Sequence, residues 1–392
     1  MRILYGFSNC SDRLYEKLIA SKNLNVMRPD QKYHGLMLKG LAANGNEVIA
    51  FSGLPINREV TKNPFCFYKN EKENGVKYKY YKTLNLPVLR QLGILLGGFF
   101  GVLFSKKRKG QTAVVCDVLN IANASGMMRA AKLKKIPTVL IVTDLPEFMY
   151  GEKNKKRAER LLRKADGYIF LTEQMNGKVN KENKPYLIME GLSDSQIIPV
   201  PYEERTEITT GVKEVIYAGG VLSMYGLPEL VKGFLAADVK NALLKIYGGG
   251  DYAEEVKKIA EQNQNVKYMG IMPNSQVVED EKRAALLVNP RPTGEEYTMY
   301  SFPSKNMEYM ASYTPVLTTN LLGMPEEYKN YVYLIEETTE KGIKDALIKV
   351  FDLPADERYS LGTSAGEFIK KNKNNVAQTK RMGEFLESIS KC

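Results

Sequence analysis

The chemistry-bearing residues gather in one stretch, Asn289-Pro290-Arg291-Pro292-Thr293-Gly294-Glu295-Glu296-Tyr297, followed closely by Ser301-Phe302-Pro303-Ser304-Lys305-Asn306-Met307-Glu308. A strand end runs into a loop carrying Arg291, and Pro303-Ser304 opens a helix that Ser304 can cap. Free N–H groups at a helix start, with a cation such as Lys305 in the first turn, favour a phosphate. Glu308 lies three residues on, hence on the same face, where it can accept hydrogen bonds from sugar hydroxyls. A capped surface helix with an i,i+3 Lys-Glu pair is the other reading of that spacing. Gly248-Gly249-Gly250 after an apolar run offers backbone that a nucleotide can approach, or is simply a flexible strand-to-helix turn.

Other candidates are scattered. Gly6, Ser8 and Asn9 follow the first strand, and strand ends are where ligands bind in α/β folds. Asp144 in Thr143-Asp144-Leu145-Pro146 is either a partner or proton acceptor for a sugar hydroxyl or a helix N-cap. His34 is the single histidine and reads as a substrate contact or a structural residue. Cys10, Cys66, Cys116 and Cys392 show no C-x-x-C spacing, which argues against a disulfide framework or zinc ribbon and fits a reducing cytoplasm. No two Asp stand two residues apart, so the D-x-D grip on a metal and a nucleotide diphosphate is missing, and no metal is expected.

The elements that must position these residues follow from length and periodicity. A chain of 392 residues exceeds what one core usually supports. Short β-rich runs at 2–7, 47–51, 77–81, 112–116, 138–142, 168–171 and 186–189 alternate with helical patterns near 32–44, 119–134, 154–164 and 172–181. A polar stretch at 202–211 reads as a linker. A second series has strands at 215–217, 243–247, 266–269, 285–288, 315–318 and 331–335, then two helices from 354 to 391. Such alternation predicts two doubly wound α/β domains, 1–205 and 206–375, facing across a cleft, with a helix at 376–392 returning to the first.

The charge is uneven. The formal net charge is +11; residues 1–205 carry 34 basic and 19 acidic side chains, residues 206–392 carry 22 and 26. The first half therefore suits an anionic partner. Its longest apolar run, Leu92 to Phe104, is 13 residues interrupted by glycines and is followed by Lys106-Lys107-Arg108-Lys109. That is too short to span a bilayer, which takes about 20 residues. It reads either as an interfacial anchor beside anionic headgroups or as a glycine-containing core helix with a solvated end.

Three blocks in order carry a family resemblance: Val215-Ile216-Tyr217-Ala218-Gly219-Gly220 with Tyr225-Gly226; Leu244-Lys245-Ile246-Tyr247-Gly248-Gly249-Gly250; and Phe302-Pro303-Ser304-Lys305 with Glu308-Tyr309-Met310-Ala311-Ser312 and Thr314-Pro315-Val316-Leu317. In these the second half resembles the donor-binding lobe of family 4 retaining glycosyltransferases, which have the two-lobed GT-B fold. The first half is similar in Gln31-Lys32-Tyr33-His34, in Gly40-Leu41 with Gly45 and Glu47-Val48, and in Thr143-Asp144-Leu145-Pro146.

The resemblance implies that Glu308 is the glutamate that binds the nucleotide ribose. The first glutamate of the family's pair falls at Tyr300, leaving Glu295 or Glu296 to serve the donor sugar. The family's Gly-Arg and Lys-Gly cations fall at Gly219-Gly220 and Tyr225-Gly226, which carry no charge, so Lys305 and Arg291 are the natural replacements at the diphosphate. Gly219, Gly220, Tyr225, Gly248, Gly249, Gly250, Ser304, Lys305 and Glu308 would then line the nucleotide. Gly6, Ser8, Asn9 and His34 would meet the acceptor, and Asp144, His34, Lys305 and Arg291 would serve the chemistry.

The expected activity is a metal-independent retaining hexosyltransferase. It would use a UDP- or GDP-linked sugar as co-substrate, with no other cofactor, and a lipid-linked or glycan acceptor. The expected setting is the cytoplasm, peripheral on the inner face of the cell membrane, in surface polysaccharide assembly and without a nucleic-acid partner. A non-catalytic partner subunit of a transferase complex and a same-fold nucleotide-sugar epimerase are the alternatives; the second would need histidines that this chain hardly has.

Overall fold

The computed structural model describes residues 1–19, 28–54, 56, 60–149, 151–294 and 296–391. Two units emerge, Met1–Leu192 with Asn374–Cys392, and Ser193–Lys373.

The first unit runs β1 (Arg2–Phe7), α1 (Asp12–Leu18), α2 (Arg28–Ala43), β2 (Glu47–Ser52), β3 (Phe65–Cys66), β4 (Glu71–Glu73), β5 (Val76–Tyr80), β6 (Thr83–Leu84) and α3 (Pro87–Leu103). It continues β7 (Thr112–Asp117), α4 (Ile121–Lys134), β8 (Thr138–Val142), α5 (Pro146–Met149), α6 (Glu152–Lys164), β9 (Gly167–Phe170), α7 (Glu173–Val179) and β10 (Tyr186–Ile188). Its main sheet has the order β10-β9-β8-β7-β1-β2-β5-β4. Strands β1, β7 and β8 are buried at every position, as parallel strands covered on both faces must be, and so read as unbroken apolar runs. Only the edge strand β4 pairs antiparallel in this sheet, through a tight turn where Asn74 and Gly75 take positive φ of 47° and 79°.

The second unit runs α8 (Thr206–Thr210), β11 (Lys213–Ala218), α9 (Leu227–Ala237), β12 (Ala242–Tyr247), α10 (Ala253–Gln262), β13 (Val266–Gly270) and α11 (Asn274–Arg283). Then follow β14 (Leu286–Asn289), α12 (Ser304–Ala311), β15 (Val316–Thr319), α13 (Glu326–Lys329), β16 (Tyr333–Ile335), α14 (Glu340–Phe351) and α15 (Ala355–Phe368). Its sheet is entirely parallel, with the order β13-β12-β11-β14-β15-β16. The last helix, α16 (Asn375–Lys391), belongs to the first unit, where Met382 and Leu386 join the core. Gly40 permits this packing, because a Cβ there would lie 2.2 Å from the Asn375 carbonyl oxygen on α16.

The units therefore meet in sequence at 192/193 and 373/374 rather than at 205/206 and 375/376. The polar stretch at 202–211 is not a linker. It forms a 3-10 turn and α8 within the second unit, where Arg205, 3% exposed, donates to the Lys282 and Tyr313 carbonyls and to Thr314, and Glu207 accepts from Arg358. Polar composition looked like solvent exposure; these side chains instead satisfy buried groups.

Helix α3 lies against α4 through small residues: a Cβ on Gly126 would come within 2.0 Å of the Leu95 carbonyl oxygen. Lys134 donates to the Leu103 carbonyl at the end of α3, and Lys107 donates to the Lys134 and Lys135 carbonyls at the end of α4, so each helix is capped by a lysine from the other side of the joint. Arg108 pairs with Glu47 at 3.0 Å. Two of the four cations at 106–109 are thus engaged by the protein itself, which replaces the picture of a freely solvated cluster.

Glu47 at the start of β2 also accepts from Arg2 at 2.8 Å and Lys77 at 3.0 Å, and these two cations outweigh the opposing effect of burial and hold its carboxyl down to about 2. A carboxyl depressed in the folded state stabilises it above the ordinary carboxylate value of about 4.3, and that contribution vanishes as pH falls through the folded value. Glu47→Gln should therefore cost about 1 kcal/mol at pH 7, allowing for solvent screening, less as pH falls below about 4, and nothing once pH is below the folded value of about 2. Urea unfolding of both proteins at several pH values checks this; a difference that does not shrink with acid would contradict it.

Candidate functional site

The second sheet changes its direction of winding between β11 and β14, and ligands of such sheets bind outside the carboxyl ends of the strands at that point. The loops leaving β11, β12 and β14 lock together there. Gly248 has φ 125°, and a Cβ on it would lie 1.8 Å from the Gly219 carbonyl oxygen; on Gly250 it would lie 2.1 Å from the Val221 oxygen. Gly226 is likewise 2.2 Å, measured from its would-be Cβ, from the Pro290 oxygen. The glycine run is therefore a packed joint between loops, which neither a flexible turn nor ligand approach explains at Gly248 and Gly250. Gly249 meets only the Ile271 side chain, and Gly219 and Gly220 are half-buried at the end of β11.

Arg291 reaches this joint from the β14 loop. Its guanidinium carbon lies 4.5 Å above the Tyr225 ring, a cation–π stack that brings a charge to the segment whose own residues have none.

Helix α12 is fixed to the same strand ends by residues that sequence reasoning passed over. The Asn306 side-chain oxygen accepts from Asn289 at 2.7 Å and Thr318 at 3.0 Å, tying the first turn of the helix to the ends of β14 and β15. The Tyr309 hydroxyl accepts from the Ala218 N–H at 2.8 Å, tying the next turn to β11. All of these groups are buried. A short polar Asn on the covered side of an amphipathic helix was the available signal for the first tie.

Ser304 is not the cap. Pro303 holds that position, Ser304 is the exposed first helical residue, and no side chain caps the helix. Lys305 and Glu308, both half-buried, form the i,i+3 pair at 3.0 Å. Burial pulls the Lys305 ammonium down, but the Glu308 and Glu281 carboxylates outweigh it and hold the group above its ordinary value, so it stays charged. Glu296 is exposed at the head of a 3-10 turn, Glu296–Met299, and Tyr300 is half-buried just after it. Glu295 lies outside the described residues.

In the first unit the corresponding change of winding falls between β1 and β7. Ser8 is half-buried beyond β1, and Asn9 beside it is 1% exposed with neither side-chain polar atom hydrogen-bonded among the described residues. Burying an unpaired amide costs about 1–3 kcal/mol. Asp144 is exposed beyond the end of β8.

Two expectations on this side are corrected. Gly6 is a packing glycine, since a Cβ would lie 2.3 Å from the Met127 sulfur of α4. His34 is a core residue, 2% exposed, with Nδ1 2.7 Å from the Tyr5 hydroxyl and Nε2 3.5 Å from the Asp117 carboxylate, so both nitrogens are engaged inside the unit. Among the described residues no three His, Cys, Asp or Glu side chains gather as a metal site, and no helix is long and apolar enough to cross a membrane.

Residues 202–368 match the model of the family described as glycosyl transferases group 1. No curated protein sequence matches the chain. Among solved structures it is similar to sucrose-phosphate synthase of Thermosynechococcus elongatus, with a TM-score of 0.69 and 14% identity over 98% of each chain. It is also similar to the Anabaena protein HepE in complex with UDP, with a TM-score of 0.65 and 13% identity over 99% of this chain and 100% of that one. The lipopolysaccharide outer core galactosyltransferase WaaB gives 0.62 and 15% over 99% of each. HepE has also been solved with UDP-glucose.

Proposed function

We propose that the chain, whose residues 202–368 match the group 1 glycosyl transferases and which has the GT-B fold, is a metal-independent retaining hexosyltransferase acting on a UDP- or GDP-linked sugar. The carrying observation is the meeting of Arg291, stacked on Tyr225, with the strand ends to which Asn306 and Tyr309 fix α12 and its Lys305. Breaking the bond from sugar C1 to the diphosphate oxygen leaves the electron pair on the diphosphate. Preorganised cations and uncapped helix N–H groups meet that charge as it develops and lower the barrier. The acceptor hydroxyl bonds to C1 and gives its proton to the departing phosphate oxygen, which balances the step. Glu308 accepts from the ribose hydroxyls, and Glu296 and Tyr300 serve the donor sugar.

Asn9, whose buried amide is otherwise unmatched, and Asp144 are the acceptor-side groups on this reading. The experiment is a panel of UDP- and GDP-sugars scored for release of free nucleotide. Slow hydrolysis of one member is expected; tight nucleotide binding with no turnover under any acceptor would favour a non-catalytic partner subunit instead.

The acceptor is lipid-linked or a glycan, met at the cytoplasmic face of the membrane. Support comes from α3, which buries Ile94, Gly98 and Val102 yet exposes Leu89, Leu92, Leu96 and Phe100 at helical spacing, between Val88 at 80% and Phe104 at 79%. An apolar stripe of this kind suits the headgroup boundary. The triple variant Leu96→Ser, Phe100→Ser, Phe104→Ser should lower affinity for vesicles containing phosphatidylglycerol by about tenfold or more. Unchanged co-sedimentation would count against the membrane placement.

A further inference from the structure

A groove of about 2020 Å³ lies wholly within the first unit. It runs from Ser8 and Asn120, at the carboxyl ends of β1 and β7, to Thr112 and Thr138, at the amino ends of β7 and β8, so it spans the depth of the sheet. Helix α3 lines one side with Val88 and Leu92, α4 contributes Arg129 and Lys132, and α6 lines the other side with Lys153, Arg157, Arg160 and Lys164. The α6 cations recur at intervals of four, three and four residues, which puts them on one helix face, beside the buried Leu161 and away from the buried Ala158 and Leu162 that hold the helix down. These six cations, the α4 and α6 members of the groove's basic lining, are all exposed, and none of them has an ion-pair partner among the described residues. Among the described residues that line the groove, the one acidic side chain, Asp166, is occupied by the Thr138 N–H at 2.7 Å and hydroxyl at 2.8 Å.

Size, charge and shape together select the occupant. Small-molecule pockets measure about 300–1,000 Å³, well below this volume. A lipid diphosphate carries about two to three negative charges, fewer than the unpaired cations here. A flat bilayer would rest on the projecting stripe of Leu96, Phe100 and Phe104, which lies outside the groove, whereas the cations line a concavity. We infer that the groove holds a linear polyanion, a glycan chain bearing phosphate, sulfate or carboxylate groups along its length, and that this chain is the acceptor. Its binding stands on the groove alone; its role as acceptor rests on the transferase reading above. The carboxyl-end opening at Ser8 is where the growing terminus would be presented.

The test uses the full chain with fluorescently labelled polyphosphate and dextran sulfate, and neutral dextran as the control, read by anisotropy over a range of salt. The variants are Arg157→Gln/Arg160→Gln/Lys164→Gln and the charge-keeping Arg157→Lys/Arg160→Lys/Lys164→Arg. Both should melt like the parent, because all three positions are exposed. The parent should bind both polyanions, more weakly as salt rises, and ignore neutral dextran. The glutamine variant should bind about tenfold more weakly or worse and the charge-keeping one within about threefold. Polyanion affinity unchanged in the glutamine variant would overturn the assignment. So would loss of binding to vesicles of phosphatidylcholine and phosphatidylglycerol with polymer affinity intact, which would give the cations to the membrane. Loss of polymer binding in the variant, with no nucleotide-sugar turnover by the parent, would uphold the groove and sink the transferase reading.

Discussion

Lys305→Ala should lower nucleotide-sugar turnover by about 10²–10³-fold, the effect of removing one preorganised donor from a developing negative charge, equivalent to about 3–4 kcal/mol in the transition state. The size follows from how few cations the donor site holds. The loops after β11 carry none at Gly219, Gly220 or Tyr225, so Arg291 and Lys305 supply the field. Neighbouring carboxylates hold the Lys305 ammonium above its ordinary value, so the loss should be the same across neutral pH. The folded state should hardly notice, because a half-buried i,i+3 pair with Glu308 contributes about 0–1 kcal/mol. Lys305→Arg should recover much of the rate by restoring the charge. Steady-state kcat/KM for the best nucleotide sugar reads the effect; a drop under about fivefold would remove Lys305 from the chemistry.

Asn306→Leu should destabilise the second unit by about 1–3 kcal/mol. Leucine matches the asparagine in size but withdraws the acceptor that serves both Asn289 and Thr318; the buried Asn289 amide loses its partner at about 1–3 kcal/mol, while the Thr318 hydroxyl keeps the Asn289 carbonyl at 3.3 Å. The same substitution frees the first turn of α12, so nucleotide affinity should fall together with stability. A lower denaturation midpoint at constant slope in urea establishes the first effect. A loss below about 0.5 kcal/mol would mean that α12 is held elsewhere.

The alternation of strand and helix was legible because strands buried on both faces are written as unbroken apolar runs, and β1 and β8 coincide with their expected limits at both ends. The loops and helix around Lys305 and Glu308 were legible for a related reason: a helix start after a strand end is a local pattern. What escaped depends on contacts distant in sequence. Nothing local distinguishes Arg205 in a polar stretch from a linker residue, since its burial is set by Tyr313 and Thr314 more than a hundred positions away. The glycines at 248 and 250 answer to the backbone of another loop, and His34 answers to Tyr5 and Asp117. Asn306 shows the same limit from the opposite side, a polar residue in a buried place whose partners become visible only when β14 and β15 are brought alongside. The cations of α6 had a periodicity that could be read, but their lack of partners and their place along one groove could not.

The central claim is that the carboxyl end of the second sheet binds a nucleotide sugar through α12. Its most direct test is calorimetric titration of UDP, and in parallel GDP, into the parent protein and Glu308→Ala. The account predicts one site per chain for one of the two nucleotides, weakened by about 10–100-fold in the variant, the value of losing charged hydrogen bonds to ribose hydroxyls. Equal affinity of parent and variant for that nucleotide, or no binding of either by the parent, would contradict it.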